Sequence, residues 1–199
     1  MSRYSAISVL SAALLGFSGF ANADAKWWLI FGRGEEPNRE FYYADAGSVV
    51  EVPKQSGMKE FARALDVLQV HEMANGPEYV KYKFQYQCQS KLVRVISATA
   101  QMRSGTKVDA PLPPSWIPLA ANWTERGYQF VCHPESAEKN GMFPLPGPDF
   151  NVAQLADVTR KQIWKTTPAD AIGTAPAVKE RPAKSVIRDM QMMLGVPSQ

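Results

Sequence analysis

Residues 79–89, YVKYKFQYQCQ, alternate apolar and polar side chains as strictly as a half-buried β-strand allows, and the apolar row Val80, Tyr82, Phe84, Tyr86 ends on Cys88. The other cysteine of the chain is Cys132, at the end of the segment NWTERGYQFVC. Where these two sulfurs go constrains the fold more than any other feature, because a bond between them ties a strand to a segment far along the chain.

The redox setting bears on that question. In MSRYSAISVLSAALLGFSGFANADA, Arg3 precedes an uncharged apolar run from Ala6 to Phe20, and small residues follow. This is the pattern of an export signal. Ser11, Gly16, Ser18 and Gly19 interrupt the run, which is shorter than the ~20 apolar residues of a spanning helix. We place cleavage after Ala25, with Ala23 as the alternative, so residues 1–25 are read as a signal peptide; no later stretch is long enough to span a membrane. In an oxidising compartment two buried thiols usually pair. A Cys88–Cys132 disulfide is the expectation, worth about 3–4 kcal/mol by loop closure; inert core thiols or a bridge between chains are the alternatives. No metal is assigned, since two cysteines without ligand-spaced histidines fall short of zinc's four ligands. No cofactor is assigned either. A net charge of +3 singles out no partner and gives no basis for a nucleic-acid one.

The remaining periodicity reads as follows. KWWLIFGRG is a first strand, with Trp27, Leu29 and Phe31 on one face and Trp28 and Ile30 on the other; EEPN turns, and REFYYAD returns as a hairpin partner whose Asp45 and Ser48 can bond neighbouring backbone. Residues 58–73 fit a helix or a strand and are taken as strand. ANGPE turns into the cysteine strand, whose wet face would carry Lys81, Lys83, Gln85, Gln87 and Gln89. KLVRVISATAQM completes the strongest hairpin of the chain, and APLPPSWIPLA is too rich in proline for a regular element. NWTERGYQFVC is expected to be a helix capped at Asn122 or Thr124, weakened by Gly127 and packed on the sheet. After a loop, FNVAQLADVTRKQIW reads as an amphipathic helix, KTTPADAIGTAPAVKERPAK as linker, and SVIRDMQMMLG as a last helix running from a Ser185 cap to Gly195.

The order KWWLIFG, FYYADAGSV, KYKFQYQCQ, VRVISATAQM, PPSWIPLAANWTERGYQFVC resembles the surface-adhesin protein E domain of Gram-negative bacteria. The resemblance rests on Tyr42, Tyr43, Asp45, Ser48, Cys88, Trp116, Pro118, Tyr128 and Cys132, over Trp27 to Cys132. It implies an antiparallel sheet with a packed helix, a disulfide, and attachment to host extracellular-matrix proteins. The leader has no cysteine for a lipid anchor, which makes the expected location periplasmic or secreted.

Candidates for chemistry are sparse. The two histidines are His71, beside Glu72, and His133, beside Cys132; a Cys132–His133 nucleophile would need the thiolate that a disulfide consumes. Neither a glycine-rich phosphate loop nor a nucleophile elbow is present. Lys81, Lys83, Lys91 and Arg94 gather on the hairpin and are the candidate binding residues, although lysines on a wet strand face also serve simply to block edge pairing. The methionine-rich last helix can dock on a partner or fold back on its own domain. The reading is an α+β protein: signal peptide 1–25, a domain at 26–133 with an antiparallel sheet of five or six strands and a disulfide-stapled helix, and an extension at 134–199 with a linker and two short helices. The expected function is that of a non-enzymatic, adhesin-like envelope protein with a host-matrix or envelope protein as partner. A periplasmic structural or assembly factor acting through the C-terminal tail is the alternative.

Overall fold

A computed structural model describes residues 27–113, 115–146, 149–165 and 179–195. The signal peptide expected at 1–25 lies outside the described residues, as does most of the expected linker.

The strongest alternation in the sequence becomes the centre of the sheet. Strands β4 (Ala62–His71), β5 (Pro77–Gln87) and β6 (Leu92–Met102) form an antiparallel meander. The hairpin of β1 (Trp27–Arg33) and β2 (Glu40–Asp45) joins it through β2 and β4. Three-residue strands β3 (Val50–Val52) and β7 (Lys107–Asp109), with two-residue pairings β8 (Ile117–Pro118) and β9 (Phe143–Pro144), complete a nine-stranded sheet. Its main path runs β7-β6-β5-β4-β2-β1-β9. The α+β class is thus as expected, with more strands than expected. The extra ones are short bridges, too brief to show a period of two. One of them, β8, lies in the proline-rich segment read as irregular, and another, β9, in the loop after Cys132.

Helices cover the sheet on both faces. On the first face, α1 (Trp123–Cys132) packs Trp123, Tyr128, Phe130 and Val131 against Tyr42, Leu65, Tyr82, Phe84 and Tyr86. Asn122 caps it, accepting from Thr124 N at 2.8 Å. The α3 helix (Ala183–Met193) buries Val186, Met190 and Leu194 in the same core. On the second face, α2 (Val152–Val158) continues into a π-helical stretch, Thr159–Trp164, and its Leu155, Ala156 and Trp164 close a smaller core with Trp27, Tyr43, Leu68 and Val70. The segments after Cys132 are therefore built into both cores. Asn151, with Gln154, forms a reciprocal cap at the start of α2.

The disulfide forms between Cys88 and Cys132, with Cα atoms 5.6 Å apart. β5 ends one residue before Cys88, so the sulfur leaves from the turn and not from the apolar row. Tyr128 Oη donates to the Cys88 carbonyl at 2.9 Å, and Arg63 donates to the Val131 carbonyl at 2.8 Å. These bonds fix the end of α1 on the sheet alongside the covalent link.

Three further expectations need correction. A bulge between Leu29 and Phe31 breaks the alternation of β1, so Phe31 packs in the first-face core and not beside Trp27 and Leu29. Gln87, placed on the wet face by its period, is buried together with Tyr86 at the last two positions of β5, where the in–out alternation stops. Ser185 does not cap α3: Pro182 precedes the helix, and the Ser185 hydroxyl instead accepts from Arg181 at 2.8 Å.

Candidate functional site

The four predicted basic residues are not brought together as one patch. Lys81 and Lys83 point to the second face from β5, beyond the part that α2 covers. Lys83 pairs with Asp66 of β4 at 3.2 Å. Arg94 lies across the hairpin from Gln85, donates to the Gln85 side-chain oxygen, and stacks over Trp116 at 4.7 Å. Lys91 sits in the β5–β6 turn with φ of 50°, and its carbonyl accepts from Leu119 N. Arg94 is thereby held against the proline-rich crossing segment, whereas Lys91 is anchored there through its backbone and its side chain stays exposed at the turn; Lys81 and Lys83 are the predicted cations that share the second face.

The neighbourhood of Lys81 is concave. Two adjoining hollows, of about 210 and 360 Å³, share Asp66, Lys81 and Val152. The first runs under the start of α2 beside Trp27, Asp45 and Phe150; the second crosses β5 and β6 past Ser97, Thr99 and Gln101 to Lys107 of β7. Burial, with Asp66 nearby, raises the pKa of Asp45 above its ordinary value, against the pull of the Gly47 N–H. The result is a polar groove along one half of a sheet face whose other half is covered by helix.

A second feature lies on the first face and was not legible in the sequence. Glu40 of β2, Gln69 and His71 of β4, Tyr82 of β5 and Arg33 of β1 meet beneath α3, around a cavity of about 220 Å³. The donors converge on one carboxylate. Arg33 Nε, Tyr42 Oη and Gln69 Nε2 donate to Glu40 Oε2 at 2.7, 2.9 and 3.1 Å. Gln69 Nε2 also reaches Tyr42 Oη at 2.9 Å, and Tyr82 Oη donates to Gln69 Oε1 at 2.7 Å. His71 Nδ1 stands 3.4 Å from Glu40 Oε1. Burial by itself would raise the Glu40 pKa, but the contacts with His71 and then Arg33 prevail and hold it at about 2. Burial likewise pushes the phenols of Tyr42 and Tyr82 far above their usual value, so both remain donors.

Above this network the cavity is roofed and walled by methionines. Met190, Met192 and Met193 of α3 and Met73 after β4 line it, together with the Arg181–Asp189 ion pair. Arg33 Nη2 contacts Met193 Sδ at 2.6 Å. His71 Nε2 is buried and has no hydrogen-bond partner among the described residues.

Of the sequence candidates for chemistry, Cys132 is engaged in the disulfide, and His133 is exposed, with an ion-pair contact to Glu135 at 3.8 Å. Among the described residues no three His, Cys, Asp or Glu side chains cluster as a metal site, and no helix is long and apolar enough to cross a membrane. No protein-family model matches the chain, and neither a curated protein nor a solved structure matches it.

Proposed function

We propose that this is an exported, non-enzymatic envelope protein of adhesin-like type, which binds a protein partner through the uncovered half of its second sheet face. The observation that carries the reading is the polar groove along β5, β6 and β7. Lys81, Lys83 and Lys107 stand there among Ser97, Thr99 and Gln101, on backbone held rigid by a central antiparallel meander. Rigid strands presenting short polar and long cationic side chains suit an extended, acidic stretch of a partner protein, with charge guiding the encounter and hydrogen bonds setting register. The resemblance to the surface-adhesin protein E domain points to extracellular-matrix proteins as the class to try first.

The competing idea, a periplasmic structural or assembly factor acting through its C-terminal tail, is the less favoured of the two, because the apolar stripe of α3 is spent in the core. Point variants on the groove are accordingly better probes than truncations. The test is saturable binding of the purified protein to immobilised matrix proteins and to solubilised envelope from its own cell. Matrix binding supports the adhesin reading; matrix silence with capture of an envelope protein replaces it with a scaffold role.

A further inference from the structure

We propose that the cavity beneath α3 is a binding site for a soft monovalent metal ion, copper(I), held by His71 Nε2 and at least two thioethers from Met73, Met190, Met192 and Met193.

The donor set selects the metal. Four of the eight methionines of the chain line this one cavity, and His71 is the imidazole among its lining residues. Thioethers are soft, neutral ligands that favour copper(I) and hold zinc, magnesium or calcium poorly, while imidazole binds copper readily. The charges fit as well. Glu40 is matched by Arg33 and Asp189 by Arg181, so the cavity presents no surplus of carboxylate to reward a divalent cation. An ion of single charge and weak hydration is cheaper to bring into such surroundings.

His71 is arranged as a ligand. Its Nδ1 faces Glu40 Oε1 at 3.4 Å, and Glu40 is itself fixed by Arg33, Tyr42 and Gln69. A carboxylate facing one ring nitrogen favours the neutral tautomer with its proton on Nδ1, in which Nε2 offers a lone pair. That lone pair belongs to a buried atom with no partner among the described residues, on a side chain that lines the cavity. A buried polar atom left unpaired is costly, and a metal ion removes the cost. The methionines supply the adaptability: three rotatable bonds each let sulfurs on α3 and on the β4–β5 turn close on an ion smaller than the cavity. Met192, the most exposed of them at 69%, and half-buried Met73 lie where an ion can enter. Both cysteines are in the disulfide, so affinity for a soft metal would not come from a thiolate.

The experiment titrates the disulfide-intact protein with copper(I) buffered by bicinchoninate under anaerobic ascorbate, and follows the methionine ε-methyl signals by NMR. Expected is one copper(I) per chain, with the methyls of Met73, Met190, Met192 and Met193 shifting while those of Met58, Met102 and Met142 stay in place. His71→Ala should abolish competition with bicinchoninate. The volume-conserving pair Met73→Leu and Met192→Leu, which leaves the core intact, should weaken binding by on the order of tenfold or more. No copper(I) taken from bicinchoninate, methyl shifts spread over Met58, Met102 and Met142, or undiminished affinity in the Leu pair would each overturn the assignment.

Discussion

Gly127 of α1 lies directly against the hydroxyl of Tyr86 on β5: a Cβ at Gly127 would collide with Tyr86 Oη and touch Leu65. The residue that weakens the helix by about 1 kcal/mol of propensity is the one that lets it approach the sheet. Tyr86 Oη donates to the Thr124 carbonyl at 3.3 Å, on the same helix. Gly127→Ala is therefore expected to destabilise the fold by about 1–3 kcal/mol, propensity notwithstanding. Chemical denaturation of Gly127→Ala, Tyr86→Phe and the double variant checks this. Removing the hydroxyl should recover part of the loss, whereas strictly additive effects would contradict the contact.

The disulfide links residues 44 apart in sequence. On the chain-entropy model its removal costs about 4 kcal/mol. Cys88→Ser with Cys132→Ser should lower the denaturation midpoint accordingly, and the oxidised protein should take up no thiol reagent until reductant is added. Labelling of the unreduced protein would contradict an intramolecular bridge.

Acid should act on Glu40. Its folded pKa of about 2 lies below the ordinary 4.5, so the stability it contributes is complete above about pH 4.5 and is lost as pH falls towards 2. The groups that set this are His71 and Arg33, with Tyr42 and Gln69 donating to the same carboxylate. Glu72, held low by its bonds from Arg39, loses stability in the same acid direction. Comparison with Glu40→Gln separates the two. The wild type should exceed the variant by about 1–3 kcal/mol at pH 6, and the gap should shrink steadily below pH 4.5. A gap independent of pH would show that the carboxylate is not ionised in the fold.

The last helix should behave as core. Met190 is 3% exposed, and Trp123 Nε1 donates to the Met193 carbonyl at 3.2 Å. Met190→Ala is expected to cost about 2–5 kcal/mol in global unfolding. Loss of α3 in hydrogen exchange without any change in global stability would mean that the helix is only loosely docked.

What the sequence revealed was set by periodicity. The alternation in 79–87 and the β-branched run at 92–102 placed the central hairpin, and the spacing of Trp123, Tyr128 and Val131 placed α1, because β5 and α1 each turn one apolar face to the core. Two-residue pairings such as Phe143–Pro144 have no period to read, and the bulge at Ile30 shifts the register without altering composition. The Glu40 network was hidden for a different reason. Glu40, Gln69 and Tyr82 become neighbours only through the β2–β4 and β4–β5 registers, and no local pattern specifies those. The available hint was polar Gln69 and His71 within the apolar run of β4. Of the predicted binding residues, Lys81 and Lys83 fall on one face as alternation requires, while Trp116 under Arg94 and the Leu119 N–H on the Lys91 carbonyl come from the crossing segment after residue 110, too far along the chain for a local pattern to show.

The central claim, that the uncovered sheet face binds a protein partner, is tested most directly by charge reversal. Binding of the wild type and of Lys81→Glu with Lys107→Glu would be measured against matrix proteins at low and raised salt. Lys83 is left alone because it is paired with Asp66. The account predicts saturable wild-type binding that weakens with salt and is lost in the reversed variant, which remains folded although Glu at position 81 faces Asp45 and Asp66. Wild-type binding that is indifferent to both salt and charge reversal, or no matrix binding at all, would contradict it.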